Sequence, residues 1–401
     1  MFLGILGAYL LGNLYIFIKG WNAFSALVHA MPLSRGGTIL FKGIFSVAFW
    51  FVAVSLFISL FSRNVEIPAW LQGGMYNMGS VWMVFTLYMV LALLAVDLLR
   101  GVAALCGGQL QGFSTGLRQY GFWGALIFTV LLLIGGYINY MNPKVEEVDI
   151  ALKPHQESSS AHMNKAAASS TDGGQESVGK QGGNARIVAI SDVHLGYATD
   201  KKQLQRYVKL INSLSPDIIL IAGDLIDNSV FPVRQQRMQE ELGQLVAPGG
   251  IYMVPGNHEY ISGSAEVEEF LAGTPIVLLK DSVVSLPHNL FIVGRDDRSN
   301  RERLPVEQLL QKTPGPVILL DHQPYGIAEN VALGIDLQIS GHTHHGQVWP
   351  MSLMVEKMYE QSHGYRQWGD SHVIVSSGLS LWGPPFRIGT HSDLFLINLR
   401  Y

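Results

Sequence analysis

Ile335-Asp336-Leu337-Gln338-Ile339-Ser340-Gly341-His342-Thr343-His344-His345-Gly346-Gln347 is the stretch that decides how this chain folds. Its apolar first half reads as a buried strand. Gly341 then turns the backbone, and two imidazoles follow at i and i+2. In extended or tightly turned backbone that spacing sends each ring to a different metal ion. On a helix the two rings would diverge, so this is not a helical His-Glu-x-x-His zinc site. A single such pair is not diagnostic. It gains meaning only if other segments supply the remaining ligands.

Working outward, residues 186–401 alternate short β-branched runs with helical patterns. The runs are 187–191, 217–222, 251–255, 290–294, 317–321, 335–340, 373–376 and 394–398, and helical periodicity covers 201–214, 233–245 and 265–271. Strands alternating with helices place the region in the α/β class. In such folds sites gather at the carboxyl ends of strands, and the polar motifs sit there. Asp192-Val-His194 closes the first run. In extended backbone its two side chains share a face, so they can grip one ion. Gly223-Asp224-Leu-Ile-Asp227 closes the second. The carboxylate of Asp224 has two oxygens and can bridge two cations, while Asp227 orients the turn or supports a ligand from behind. Gly256-Asn257-His258-Glu259 closes the third, with an amide oxygen as a hard ligand and an adjacent imidazole free to face a substrate. Asp321-His322 closes another. Each motif alone is an ordinary turn or a satisfied histidine more often than a ligand. Five in order supply mixed oxygen and nitrogen donors for two ions, which suits Mn, Fe, Zn or Co rather than magnesium or structural zinc.

Taken together, Asp192-x-His194, Gly223-Asp224-x-x-Asp227, Gly256-Asn257-His258-Glu259, His322 and Gly341-His342-x-His344 resemble the signature of the calcineurin-like metallophosphoesterases. The resemblance covers residues 186–401 and implies a four-layer α/β/β/α sandwich. It also implies two divalent or trivalent metal ions (Mn, Fe or Zn). Carried over by motif, one ion takes Asp192, His194, Asp224 and His344, and the other takes Asp224, Asn257, His322 and His342. Asp224 bridges, and His258 assists the leaving group or stabilises the transition state. Residues 343–348, Ser377-Gly378-Leu379 and Pro385-Phe386-Arg387 are similar to the membrane-associated branch, which includes transmembrane proteins with a metallophosphoesterase domain and enzymes that cleave the pyrophosphate of UDP-diacylglucosamine. His345 departs from that branch, which usually has glycine there. It is expected to line the substrate pocket, along with Arg295 and Arg387; Arg298 and Trp382 are further candidates.

The N-terminal part explains the composition. The chain has 401 residues, 48% hydrophobic and 14% charged, with a mean hydropathy of +0.24, too apolar for one soluble protein. A net charge of -4 disfavours a general nucleic-acid binder. The lone cysteine, Cys106, excludes an intrachain disulfide and any cysteine-based zinc cluster. Apolar runs at 1–18, 44–61, 81–96 and 121–140 approach the ~20 residues needed to cross a bilayer. The region 1–141 therefore reads as about four membrane helices. The first run, interrupted by Asn13 and ended by Lys19, could instead be a signal peptide, but no basic segment precedes it and three more runs follow. Residues 142–185, rich in Ser, Ala, Gly and Gln and including His155 and His162 as solvated histidines, read as a flexible linker with a reach of roughly 30 Å. Lys19, Arg35 and Lys42 follow the first run and Arg100 and Arg118 the third, against Arg63 between the second and third. The positive-inside rule then puts both termini and the 186–401 domain on the outer or periplasmic side of a multi-pass cell-membrane protein.

The expected function is hydrolysis of a phosphodiester or pyrophosphate by metal-activated hydroxide, on a phosphoester substrate that the membrane half makes a lipid-linked candidate. Two other classes remain open. One is a non-catalytic scaffold or binding module of the same fold. The other is a membrane transporter or sensor with a phosphatase-like appendage, against which the scarcity of ionisable residues in the apolar runs speaks.

Overall fold

The computed structural model describes residues 2–61, 68–106, 111–152 and 183–401; Arg63, His155 and His162 lie outside the described residues. Four long helices come first: α1 (Phe2–His29), α2 (Arg35–Phe61), α3 (Ala69–Leu105) and α4 (Gln111–Tyr140). Helices α2 to α4 are each long and apolar enough to cross a membrane. Helix α1 does not stop at Lys19, as its sequence implies. It runs on because its polar residues find partners across the bundle. Asn13 is fully buried and accepts from Trp82 Nε1 at 2.8 Å, and Lys19 pairs with Asp97 at 2.7 Å. Gly79 lets α3 close on α2, since a Cβ there would strike the Leu56 backbone.

The rest is two six-stranded sheets. The first has the order β1 (Lys144–Ala151), β12 (Asp393–Arg400), β2 (Asn184–Ile190), β3 (Ile218–Ile221), β4 (Ile251–Met253) and β5 (Ile276–Leu278). The second has the order β10 (Gly364–Trp368), β11 (Ser371–Val375), β9 (Leu337–Ser340), β8 (Val317–Leu320), β7 (Phe291–Gly294) and β6 (Ser282–Ser285). Strands β2 to β5 run parallel, as do β11, β9, β8 and β7. Their unbroken Ile, Val and Leu runs suit strands covered on both faces.

Three apolar layers hold this together. Between the sheets, Ile187, Leu220 and Ile397 pack with Ile292, Ile318 and Ile339. On the outer face of the first sheet, Val188, Ile219 and Ile221 meet Leu204, Tyr207 and Ile211 of α5 (Lys201–Ser213). On the outer face of the second, Val293 and Leu319 meet Val306 and Leu309. The domain is therefore the four-layer α/β/β/α sandwich the motifs imply.

The boundary at 142 needs correction. Residues 144–151 are not linker but an edge strand, parallel to β12. Their alternation of charged and apolar residues, Lys-Val-Glu-Glu-Val-Asp-Ile-Ala, looks polar on average, yet Ile150 is buried in the inter-sheet core. The Ser/Ala/Gly segment thus joins β1 to β2, two strands that both flank β12, and does not tether the domain to the membrane. That junction is direct, from Tyr140 of α4 to Lys144 of β1. Helices and domain also bond to each other. Tyr88 donates to Trp349 O at 2.6 Å, Asn139 to Arg387 O and Thr390 O at 2.9 and 2.8 Å, and Tyr140 Oη lies 3.0 Å from Ser380 Oγ.

Candidate metal centre

Each motif residue leaves the carboxyl end of a central strand: Asp192 and His194 after β2, Asp224 and Asp227 after β3, Asn257 and His258 after β4, His322 after β8, His342 and His344 after β9. The i, i+2 pairs do not use strand alternation. Asp192, His194, Asp224, His342 and His344 all have positive φ, between 48° and 71°. Non-glycine residues hold this left-handed backbone only where the surroundings over-determine it, and such residues concentrate at functional sites. Here the left-handed steps fold each strand end back on itself so that the side chains converge.

They converge in two groups. Asp192, His194 and His344 offer ligand atoms within 4.8 Å of one another, as do Asp224, His322 and His342. In the first, His194 Nε2 is 3.0 Å from His344 Nε2 and 3.7 Å from Asp192 Oδ1, and His344 Nε2 is 3.3 Å from the same oxygen. In the second, His322 Nε2 is 3.1 Å from Asp224 Oδ2 and 3.2 Å from Asn257 Oδ1. Asp224 Oδ2 is also 3.8 Å from His194 Nε2, so this carboxylate touches both groups. His342 and His344 fall in different groups. His258, within reach of His194 and Asp224 as well, is held otherwise. Its Nδ1 is 2.6 Å from Asp227 O, a group that only accepts, so Nδ1 carries a proton. The same logic fixes His322, whose Nδ1 donates to Ala222 O at 2.7 Å and leaves Nε2 as the ligand atom.

Supporting bonds position the carboxylates. His342 N donates to Asp192 Oδ2 at 2.9 Å and His258 N to Asp224 Oδ1 at 2.8 Å. Glu259, nearly fully buried, accepts from the backbone N–H groups of Asp224, Ile226 and Gly256 at 2.9, 3.0 and 2.7 Å. Glycine is required at 256 and 341, because a Cβ at either would collide with Asp224 or Asp192.

Electrostatics divide the histidines. Burial disfavours the charge on His194, but Asp192, Asp227 and Asp224 overcome it and lift its pKa to about 10. His322 also rises well above the ordinary value, with Asp224 outweighing burial. Burial carries His344 down to about 3 despite Asp192, and His342 down to about 4, helped by the charge on His322. A charged His194 and a neutral His344 thus face each other through their Nε2 atoms. Two imidazole nitrogens aimed at each other among carboxylate oxygens form a donor set that fits bound cations. Asp, His and Asn donors suit Mn, Fe or Zn.

The three expected substrate contacts each make contacts within the protein. Arg387 is 1% exposed. It donates to the carbonyls of His344 (2.6 Å), Ser377, Gly378 (3.2 Å) and Ser380 (3.3 Å), bracing the second histidine loop from inside. Arg295 pairs at 3.1 Å with Asp321, the residue before His322. His345 is buried, bonded to Glu356 at 3.1 Å and stacked on His363 at 3.4 Å. Its φ of 48° explains why glycine is at ease in that position. Sequence reading assigned no role to Glu259, although a glutamate at the third position of a helix capped by Gly256 is a capping signal. It also gave no hint of Tyr76, on α3, whose hydroxyl is 3.5 Å from Asp227 Oδ2. Asp227 Oδ1 in turn is 3.5 Å from His194 Nδ1 and 3.3 Å from His258 Nδ1, so a membrane helix reaches the support of two site histidines.

This architecture defines the chain's class: residues 185–346 match the calcineurin-like phosphoesterase family, and the chain carries a domain of that family. Among relatives, it is 32% identical over 297 residues to a transmembrane protein with metallophosphoesterase domain from Danio rerio, covering 69% of this chain and 62% of that protein. It is 33% identical over 222 residues to an uncharacterized metallophosphoesterase of Helicobacter pylori, covering 53% and 59%. Similarity to an uncharacterized metallophosphoesterase of Campylobacter jejuni is 26% but runs over 97% of this chain and 95% of that one. The chain spans about six-tenths of the length of the first two relatives.

Proposed function

We propose that this protein is a membrane-anchored phosphoesterase that uses two metal ions to hydrolyse a phosphodiester or pyrophosphate bond in a lipid-linked substrate, of which UDP-diacylglucosamine is one example. The observation that supports it best is Asp224, a single carboxylate shared by two donor groups. Asp192, His194, Asp224 and His344 would hold one ion, and Asp224, Asn257, His322 and His342 the other. When bound, such a pair lowers the pKa of water and polarises phosphoryl oxygens. The chain's own groups do the rest. The Asp227 carbonyl keeps Nδ1 of His258 protonated and so aims Nε2 outward. Although burial opposes it, the Asp227 and Asp224 carboxylates raise the pKa of His258 above its ordinary value, which suits a donor to the leaving oxygen. Glu259 and Arg387 fix the loops that carry Asp224 and His344.

The basic residues Lys19, Arg35, Lys42, Arg100 and Arg118 gather at the end of the bundle away from the domain, which supports a domain on the outer side. A lipid precursor confined to the cytoplasm fits only the opposite orientation.

The test is hydrolysis of bis-p-nitrophenyl phosphate by the full chain in detergent, stripped of metal and reloaded with Mn²⁺, Zn²⁺ or Fe²⁺. Metal-dependent turnover that is lost in Asp224→Ala is the expected result. Metal binding without turnover on this or a pyrophosphate substrate would move the protein to the scaffold class.

A further inference from the structure

We infer that helix Met351–Met358, with Trp349 just before it, is a second lipid-contacting element that holds the mouth of the metal centre against the bilayer. The helix turns apolar side chains outward: Leu353, Met354 and Met358 are 49%, 58% and 62% exposed, and Trp349 is 48% exposed. Lys357 lies among them, a residue whose stem can lie along lipid while its charge reaches water. The inner side is committed. Ser352 is buried, Met351 packs with Val84, Tyr88 and Leu133 of the membrane helices, and Glu356 holds His345.

Depth along α3 identifies the occupant as the bilayer. Tyr88 bonds to Trp349 O. Asp97, in the charged cluster with Lys19 and Arg100, lies nine residues further along α3, about 14 Å at 1.5 Å per residue. That cluster marks one edge of a hydrocarbon layer ~30 Å thick. The 348–351 segment therefore sits at a level where the bundle itself faces lipid. Leu94 and Leu98 of α3 and Leu131 and Ile134 of α4 are likewise exposed apolar side chains on the bundle, and the helix is tied to that bundle through Met351, which packs on Val84, Tyr88 and Leu133. The inference rests on reading α2 to α4 as membrane spans.

The helix is also joined to the site. It follows the His344–Gly346 turn, and a Cβ on Gly346 would strike the backbone of Met351 and Ser352. Tyr359, the residue after it, places its ring 6.3 Å from that of His342 and its hydroxyl 3.1 Å from Tyr325 Oη. Arg298 lies over the Tyr325 ring at 4.8 Å. Lipid on one side of the helix and His342 on the other would bring an amphiphilic phosphoester to the site from the membrane. That last step rests on the phosphoesterase reading; the lipid contact does not.

The experiment uses the full chain in phosphatidylcholine nanodiscs, with Cys106→Ala and Met354→Cys carrying a nitrobenzoxadiazole label. Brominated phosphatidylcholine should quench the label at least twofold and its emission should be blue-shifted, while a label at Lys312→Cys shows neither. An unquenched, water-exposed label at 354 would overturn the inference, as would efficient disulfide cross-linking between the 354 positions of two chains. In a second arm, Leu353→Glu, Met354→Glu and Met358→Glu combined should lower hydrolysis of hexadecyl p-nitrophenyl phosphate in proteoliposomes at least tenfold and leave bis-p-nitrophenyl phosphate turnover unchanged. An equal fall on both substrates would refute a role at the membrane. If the unaltered protein hydrolyses neither, the phosphoesterase reading fails, and quenching still decides the lipid contact.

Discussion

Replacing Arg387 with alanine separates a brace from a substrate contact. The guanidinium is buried, and its Nη atoms donate to four backbone carbonyls while Nε donates to Ser392 Oγ at 3.2 Å. Hydrogen bonds from a charged donor contribute roughly 1.5–3 kcal/mol each, but they are not additive here. Burial penalises the charge, pulling the pKa of Arg387 down to about 10, and that cost is recovered when the group is removed. Carbonyls left buried without a donor cost about 1–3 kcal/mol each, so with the recovered charge penalty set against them the net loss is about 3–5 kcal/mol. For a domain of this size that is a fall in Tm of roughly 6–20 °C. Arg387→Lys should recover only part of the loss, because one ammonium cannot span four carbonyls. The assay is thermal unfolding of the full chain in detergent with metal content measured alongside, since the His344 carbonyl is one of the four. A variant that melts within about 2 °C of the parent, keeps its metal and loses turnover would refute this reasoning and return Arg387 to the substrate pocket.

Three further outcomes follow from the same geometry. His258→Ala should keep its metal by elemental analysis and lower kcat by about 10²–10⁴-fold; a loss of metal would make His258 a ligand. Tyr76→Phe removes the hydroxyl facing Asp227 and should lower kcat with metal content unchanged, whereas an unaltered kcat would show that α3 supports the site by packing alone. Metal uptake should release protons and tighten as pH rises through the neutral range. The reason is that His194, with its pKa lifted to about 10, and His322 hold protons before loading, while His342 and His344 stay neutral. Calorimetry in buffers of different ionisation enthalpy reads this directly, and affinity that is flat from pH 6 to 8 would contradict the assigned charge states.

The motifs that build the candidate site were legible because each is short, local and tied to the end of an apolar run. Gly341 is legible as a turn after a strand, whereas the collision that a Cβ at 256 or 341 would cause emerges only from the structure. What stayed hidden depends on contacts made at long range. Lys19 looks like the end of a helix until Asp97, 78 residues on, neutralises it. Arg387 looks exposed because arginine usually is, and its partners are carbonyls that no side-chain pattern reveals. Strand β1 looks like linker because an edge strand keeps one face in water, and its pairing to β12 bridges some 250 residues. Tyr76 belongs to a membrane helix by composition, and only the fold brings it to Asp227.

The placement of β1 has a bearing on proteolysis. Both β1 and β2 hydrogen-bond to β12, one on each side. A cut anywhere between residues 153 and 182 would therefore leave two polypeptides, one ending in β1 and one beginning with β2, still laced into a single sheet. Such a cut would not shed the domain from the membrane; the two pieces would part only on a denaturing gel.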